Sequence, residues 1–170
     1  MFIDIHDLER DKLLFAREFP AGRIDLGEDA TIVEPLAAEG VAEIVDLEIH
    51  LQGHLRTTVE VACARCLEAT RWPVDKEFDL YYRPVQTIAR EEEVEIDDAE
   101  LEIGFYQGDG LLLEDVLAEQ VLLDLPMKSL CRPDCHGLCP QCGQNWNLGP
   151  CHCPPPARDH RWAALEQFKK

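Results

Sequence analysis

The sequence predicts an α+β fold: an antiparallel β-sheet running as a meander, barrel-like if it curls far enough, packed by one long helix and followed by a small cysteine-rich module. Three observations predict it. Apolar and polar residues alternate through most of residues 47–82, apolar residues recur at helical spacing over residues 111–123, and six of the eight cysteines fall within residues 131–153. A period of two is that of a half-buried strand and a period near 3.6 that of an amphipathic helix. A cysteine-dense segment broken by Gly137, Gly143, Gly149 and several prolines can hardly build an apolar core, so a cross-link must hold it.

In chain order, residues 1–5 and 13–19 read as strands, the second closed by Pro20. Leu47, Ile49 and Leu51 alternate with Glu48, His50 and Gln52, and Gly53 then marks a turn. Leu55, Thr57, Val59, Val61 and Cys63 repeat the alternation, and Trp72, Val74, Phe78, Leu80 and Tyr82 do so again. Three successive antiparallel strands joined by short turns follow from this pattern. Eight acids among the twelve residues 91–102 read as a solvated loop or strand edge. Residues 101–106 read as one more strand, and Gly108, Asp109 and Gly110 as a turn.

Asp109 is the expected N-cap of the long helix, with Glu114 and Asp115 in its first turns. Leu113, Val116, Leu117, Gln120 and Val121 form its buried face, widened by Leu112, Ala118, Leu122 and Leu125. Pro126 ends it and the cysteine-rich segment follows directly. After Cys153, consecutive prolines form a stiff spacer, and Asp159 is placed to cap a last short helix carrying Trp162, Leu165 and Phe168. The expected division is an acidic α+β body, residues 1–125, and a cysteine-rich module with a C-terminal helix, residues 126–170.

A chain of 170 residues suits one domain with an appended module. It contains no apolar run near the roughly 18 residues a membrane helix needs. The first residues lack a basic start, an unbroken apolar run and a small-residue cleavage site, which predicts a cytoplasmic protein. There, clustered cysteines more often bind metal than form disulfides. The net charge of −18 is divided unevenly, with 10 Lys+Arg against 31 Asp+Glu in residues 1–125 and 6 against 3 in residues 126–170. The body therefore repels nucleic acid and attracts basic proteins, whereas the tail can approach a phosphate backbone.

Cys139-Pro-Gln-Cys142-Gly143 has the form of a zinc knuckle, two thiolates turning back toward one ion with a glycine that tolerates the turn. A closed structural Zn2+ site needs two more ligands. Cys151 and Cys153, two apart in an extended segment and so on one side of it, are the preferred pair. Cys131 and Cys135 are the alternative second pair, and His136 or His152 could replace a thiolate. Neither the H-x-E element of nucleobase deaminases, nor H-E-x-x-H, nor a ferredoxin spacing is present, so no catalytic residue is expected.

Cys63 and Cys66 sit apart from this segment, at a predicted hairpin turn. They read as a separate thiol pair with redox character, as half of a metal site completed from the tail or by a second subunit, or as a packed Cys63 and a turn residue. Candidate RNA contacts are Lys128, Arg132, Trp146, Arg158 and Arg161, since single-stranded RNA is read by basic and aromatic groups together. For each tryptophan alone, packing of the module is the commoner role.

The hairpin CARCLEA, the helix end LDLPMKSLC, the run DCHGLCPQCGQNWN with its closing CHC, and the terminal DHRWAALEQF are in the order found in the YceD family, the large ribosomal RNA subunit accumulation proteins, and the chain from about Val59 to Phe168 resembles that family. The resemblance implies a small bacterial cytoplasmic factor, not an enzyme, supporting synthesis, processing or stability of large-subunit ribosomal RNA. Its expected partners are that RNA or a ribosome assembly intermediate. Family members differ in how many tail cysteines they keep, which argues against Cys63 and Cys66 being needed to complete the tail's site. A second reading from another class is an acidic adaptor or chaperone that holds a basic ribosomal protein.

Overall fold

The computed structural model describes residues 1–46, 48–85 and 103–154. Its frame is a six-stranded sheet built from β2 (Leu13–Phe19), β3 (Ala30–Ile32), β4 (Leu36–Val45), β5 (Glu48–Ala62), β6 (Ala69–Pro84) and β7 (Ile103–Tyr106). The strand order is β2-β4-β5-β6-β7, with β3 also paired to β5. A separate two-stranded ribbon joins β1 (Phe2–Asp4) to β8 (Gly110–Leu112). The short α1 (Ile5–Leu8) follows β1, and α2 (Leu113–Asp124) follows β8.

The inner face of the sheet follows the alternation. Ile49, Leu51, Leu55 and Val59 of β5 are fully buried, and Val74, Phe78 and Tyr82 of β6 stand on the same face. Asp75, Glu77 and Asp79 point outward between them. The helix α2 lies against β6 and β8 and buries Leu113, Val116, Leu117, Gln120 and Val121 into one continuous core with that face. Each such aliphatic side chain contributes about 1.5–3 kcal/mol by leaving water.

Gly53 does not turn the chain. It lies inside the 15-residue strand β5, opposite Gly40 of β4 on one side and Phe78 of β6 on the other, while Gly40 in turn faces Phe15 of β2. A Cβ on Gly40 would collide with the Gln52 carbonyl and lie 2.8 Å from the Phe15 ring. One on Gly53 would collide with the Glu39 carbonyl and lie 2.8 Å from the Phe78 ring. At the other edge the Tyr82 ring covers Gly104, its partner across the parallel β6–β7 ladder. Aromatic rings thus close over glycines in both directions across the sheet, supplying the apolar cover that the glycines lack and allowing the strands to bend there. A sequence scan takes such a glycine for a turn because its partner rings are distant in the chain.

Five further expectations are corrected. The meander is incomplete, because β7 runs parallel to β6 and β3 continues the line of β4 after an interruption at residues 33–35. There Val33 N–H donates to the Thr58 carbonyl and Thr57 Oγ1 to the Glu34 carbonyl, both at 3.0 Å. The sheet is open among the described residues, with β2 and β7 as its edges rather than a closed barrel. The helix is short, 12 residues. It begins after Leu112, which caps it without a side-chain bond, because residues 110–112 are drawn into the ribbon with β1; Asp109 instead accepts from Ile5 N–H through its carbonyl. Leu112 and Leu122 are 42% and 44% exposed, so the buried face is narrower than its apolar spacing suggested.

Residues 13–19 are the strand expected, while the opening strand is shorter, because Asp4 accepts from His6 N–H at 2.8 Å and starts α1. Leu47, the acidic run 91–102, and the terminal segment with Asp159, Trp162, Leu165 and Phe168 lie outside the described residues. No helix of the described residues is long and apolar enough to cross a membrane.

The glycine row gives a direct test. In an open strand Gly→Ala stabilises by about 0.5–1 kcal/mol; Gly53→Ala should instead destabilise by about 1–3 kcal/mol, because backbone and ring must move. Equilibrium urea unfolding followed by circular dichroism measures the sign.

Candidate metal centres

The hairpin joining β5 to β6 carries Cys63 and Cys66 at the end of the sheet. Its loop is closed by two hydrogen bonds: Cys63 N–H donates to the Glu68 carbonyl at 2.9 Å, and Leu67 N–H donates to the Cys63 carbonyl at 2.9 Å. Leu67, just after the second cysteine, has a left-handed backbone with φ 61. The same arrangement recurs in the tail. Cys139 N–H donates to the Gln144 carbonyl and Gly143 N–H to the Cys139 carbonyl, each at 2.9 Å, with Gly143 at φ 73. The segments CARCLE and CPQCGQ are therefore two copies of one backbone device, a knuckle that turns a pair of thiols toward a common point. The first escapes a motif search because leucine stands where the second has glycine.

Each knuckle meets a second pair. Cys63, Cys66, Cys131 and Cys135 form one group and Cys139, Cys142, Cys151 and Cys153 another, with the sulfur atoms of each group all within 4.8 Å of one another. In the first, Cys63 Sγ lies 3.8 Å from Cys135 Sγ and Cys66 Sγ 3.6 Å from Cys131 Sγ. Thiolates bound tetrahedrally at about 2.3 Å stand about 3.8 Å apart, whereas disulfide sulfurs stand about 2.05 Å apart. Both groups could hold a metal ion.

The tail's preferred four cysteines thus come together. The alternative pair Cys131 and Cys135 is instead drawn to the hairpin, and Cys63 and Cys66 are not a separate thiol pair. His136 and His152 belong to neither group among the described residues.

The tail is fastened to the hairpin around the first group. Ala64 N–H donates to the Ser129 carbonyl at 2.8 Å, and Arg65 Nη1 donates to the Cys135 carbonyl at 2.7 Å. Gly137 passes against the Arg65 backbone with φ 78, and a Cβ there would lie 3.1 Å from the Arg65 carbonyl oxygen. Asn145 Nδ2 donates to Glu68 Oε1 at 2.9 Å. Cys63, Cys66 and Cys135 are buried together beneath Leu130 and Leu138, a core too small to hold the tail by apolar contact alone.

N–H donors surround the sulfurs. Asn147 Nδ2 lies 3.3 Å from Cys135 Sγ, Trp146 Nε1 lies 3.5 Å from Cys151 Sγ, and Gln141 N–H lies 3.5 Å from Cys139 Sγ. Bonds from the backbone around Cys131, Arg65 and Cys66 lower the Cys63 thiol to about 6, and the Trp146 indole followed by the Cys153 backbone lowers Cys151 to about 6. Their neighbours shift the other way. Burial and the adjacent Cys66 thiol push Cys131 up to about 12, and the adjacent Cys142 thiol followed by burial pushes Cys153 up to about 12. In each group one thiol is thus lowered and a neighbour raised, as expected where thiols crowd within reach of one another.

Of the candidate RNA contacts, Lys128 is exposed. Arg132 is also exposed and donates to Asn147 Oδ1 at 2.7 Å. Trp146 is 41% exposed, with its nitrogen turned to Cys151 and part of its ring to solvent. Arg158 and Arg161 lie outside the described residues.

The family model of the large ribosomal RNA subunit accumulation protein YceD matches residues 51–169, from mid-β5 through both cysteine groups. The chain belongs to the YceD family. Among its curated relatives are uncharacterized proteins of Mycobacterium tuberculosis and Mycobacterium bovis, each 38% identical over 107 residues, which cover 62% of this chain and 48% of the relative. An uncharacterized protein of Mycobacterium leprae is 26% identical over 146 residues, covering 82% of this chain and 63% of the relative. The chain therefore spans about half the length of the first of these relatives. No solved structure matches. All eight cysteines of this YceD chain lie within the matched segment.

The twin knuckles yield paired outcomes of opposite sign. Leu67 is 67% exposed and strained at φ 61, so Leu67→Gly should stabilise by about 1 kcal/mol. Gly143→Leu should destabilise by a similar amount, both read from thermal unfolding of the metal-loaded protein.

Proposed function

We propose that this YceD-family protein is a non-enzymatic cytoplasmic factor supporting synthesis, processing or stability of large-subunit ribosomal RNA, and that its zinc-bound tail presents the RNA-facing surface. The observation that carries the reading is the family match to the large ribosomal RNA subunit accumulation protein across the entire cysteine framework. Within it, Cys139, Cys142, Cys151 and Cys153 would hold one Zn2+, which supplies structural cross-linking and no open position for chemistry. Zinc suits the site because four thiolates leave no ligand to exchange and because metal binding contributes folding energy to a segment with little core. Lys128, Arg132, Trp146, Arg158 and Arg161 are the groups proposed to meet phosphate and base.

The test is binding of the metal-loaded protein to large-subunit ribosomal RNA across a salt series. Affinity should fall linearly with salt on logarithmic axes, and Lys128→Ala should reduce the slope by about one phosphate contact. Removal of residues 126–170 should abolish binding, and unchanged affinity in that truncation would reject the tail as the RNA surface. Anaerobically purified protein with less than one zinc per chain would reject the zinc assignment.

A second reading rests on the outward face of the sheet. An open groove of about 880 Å³ there is lined by Leu14, Glu39, Val41, Gln52, His54 and Asp79, combining apolar floor with carboxylates. His50 and His54 hydrogen-bond two of the carboxylates on this face, their Nε2 atoms lying 2.6 Å from Asp79 and 2.5 Å from Asp75. Such a surface suits a basic ribosomal protein held before assembly. Retention of that protein after charge reversal at Glu39 and Asp79 would dismiss this reading.

A further inference from the structure

We infer that Cys63, Cys66, Cys131 and Cys135 form a second zinc centre, a clasp that fastens the tail to the end of the sheet and so fixes the tail centre in place. This inference rests on the zinc-binding part of the proposal above, and not on RNA recognition.

The geometry meets each requirement of a closed thiolate site. Two cysteines come from a knuckle of the same hydrogen-bond pattern as the tail's own, and the opposing pair comes from the segment after α2. The 3.6 and 3.8 Å sulfur separations match tetrahedral edges at a zinc–sulfur distance of about 2.3 Å. Three of the four cysteines are buried, with Cys131 at the open rim. Four mutually touching thiols at the end of a sheet have no packing advantage over alanine or valine, but they are what a Zn2+ requires. Loading replaces the thiol protons by four sulfur–zinc bonds and releases the protons to solvent, leaving a site charge of −2. No oxidant or reductant enters.

Asn147 is the positioning residue of the clasp. Its Nδ2 donates to Cys135 Sγ, while its Oδ1 accepts from His136 N–H at 2.8 Å and from Arg132 at 2.7 Å. The adjacent Trp146 donates to Cys151 of the tail centre. Consecutive residues thus reach one sulfur of each centre, so loading the clasp orders the turn from which the tail centre takes its indole donor. Outer-shell donors of this kind commonly change metal affinity 10- to 100-fold.

The experiment is metal analysis of full-length protein purified anaerobically, in wild type and in two double variants. Two zinc per chain are expected in wild type, and one in both Cys63→Ser/Cys66→Ser and Cys139→Ser/Cys142→Ser. One zinc in wild type that is lost only in the second variant would overturn the clasp while leaving the tail centre intact; one lost only in the first would support the clasp and reject the tail centre. Iron in place of zinc at the clasp, or a Cys63–Cys135 disulfide in the purified protein, would also overturn it. Should the first variant fail to fold, cobalt titration of the metal-free wild-type chain replaces it: thiolate-to-cobalt absorption rising to two equivalents supports the clasp, and saturation at one rejects it. In a folded Cys63→Ser/Cys66→Ser variant, trypsin should cleave after Lys128 faster than in wild type. Asn147→Ala should weaken the clasp metal 10- to 100-fold against a competing chelator, with the tail metal retained.

Discussion

The contact on which the rest of the molecule depends is made by four sulfur atoms. Cys63 and Cys135 are 72 positions apart in the chain, Cys66 and Cys131 are 65 apart, and both pairs meet within a few ångströms at the end of the β5–β6 hairpin. Everything after α2 follows from that meeting. Among the described residues, the segment 127–154 contributes few buried apolar side chains of its own, so its path is fixed by hydrogen bonds to the hairpin and by the thiol group they surround. Crowded thiols by themselves offer little cohesion, whereas a cation bound by all four would cross-link sheet and tail.

The sheet is built to deliver the hairpin to that position. The two long strands β5 and β6 form a ladder from Ile49 paired with Tyr82 to Ala62 paired with Ala69, and the cysteine knuckle is its far end. Across the sheet, at Gly40, Gly53 and Gly104, Phe15, Phe78 and Tyr82 close over backbone that carries no side chain, so the rings pack where a Cβ would collide. The glycines let the neighbouring strands pack closely against the hairpin that carries the knuckle.

What could be read from the chain depends on the range of the interaction that decides it. The alternation in β5 and β6 and the buried face of α2 at Leu113, Val116, Leu117, Gln120 and Val121 are local periodicities, and both are found where the spacing placed them. The four tail cysteines 139, 142, 151 and 153 lie within fifteen residues of one another, and their grouping was also legible. Gly53 was not, because its meaning depends on Phe78 across the sheet. Neither was the start of α2, because β1 at the opposite end of the chain captures residues 110–112 as a strand. The joining of Cys63 and Cys66 to Cys131 and Cys135 is likewise non-local, and Leu67 in place of glycine concealed the knuckle. The repeated pattern of a cysteine pair with a left-handed residue after it was the signal that could have found it.

Charge bears on which side of the molecule would meet RNA under the proposed function. Residues 1–125 carry a large acidic excess and residues 126–170 a small basic one. At physiological ionic strength a charge is felt over about 8 Å, so a nucleic acid senses the local surface and not the net −18. A mildly basic tail free to fold back along Glu39, Glu77 and Asp79 would lose its phosphate affinity to those carboxylates. Fastened at the hairpin tip, residues 126–154 are kept from that path. There Glu68 is engaged by Asn145, Asp134 lies 3.6 Å from Arg132, and Arg65 is drawn to the Cys135 carbonyl. The proposed clasp would therefore have an electrostatic consequence beyond stability: it would keep Lys128 and the exposed part of Trp146 at the hairpin end of the sheet, away from Glu39, Glu77 and Asp79, which pair across the middle of β5.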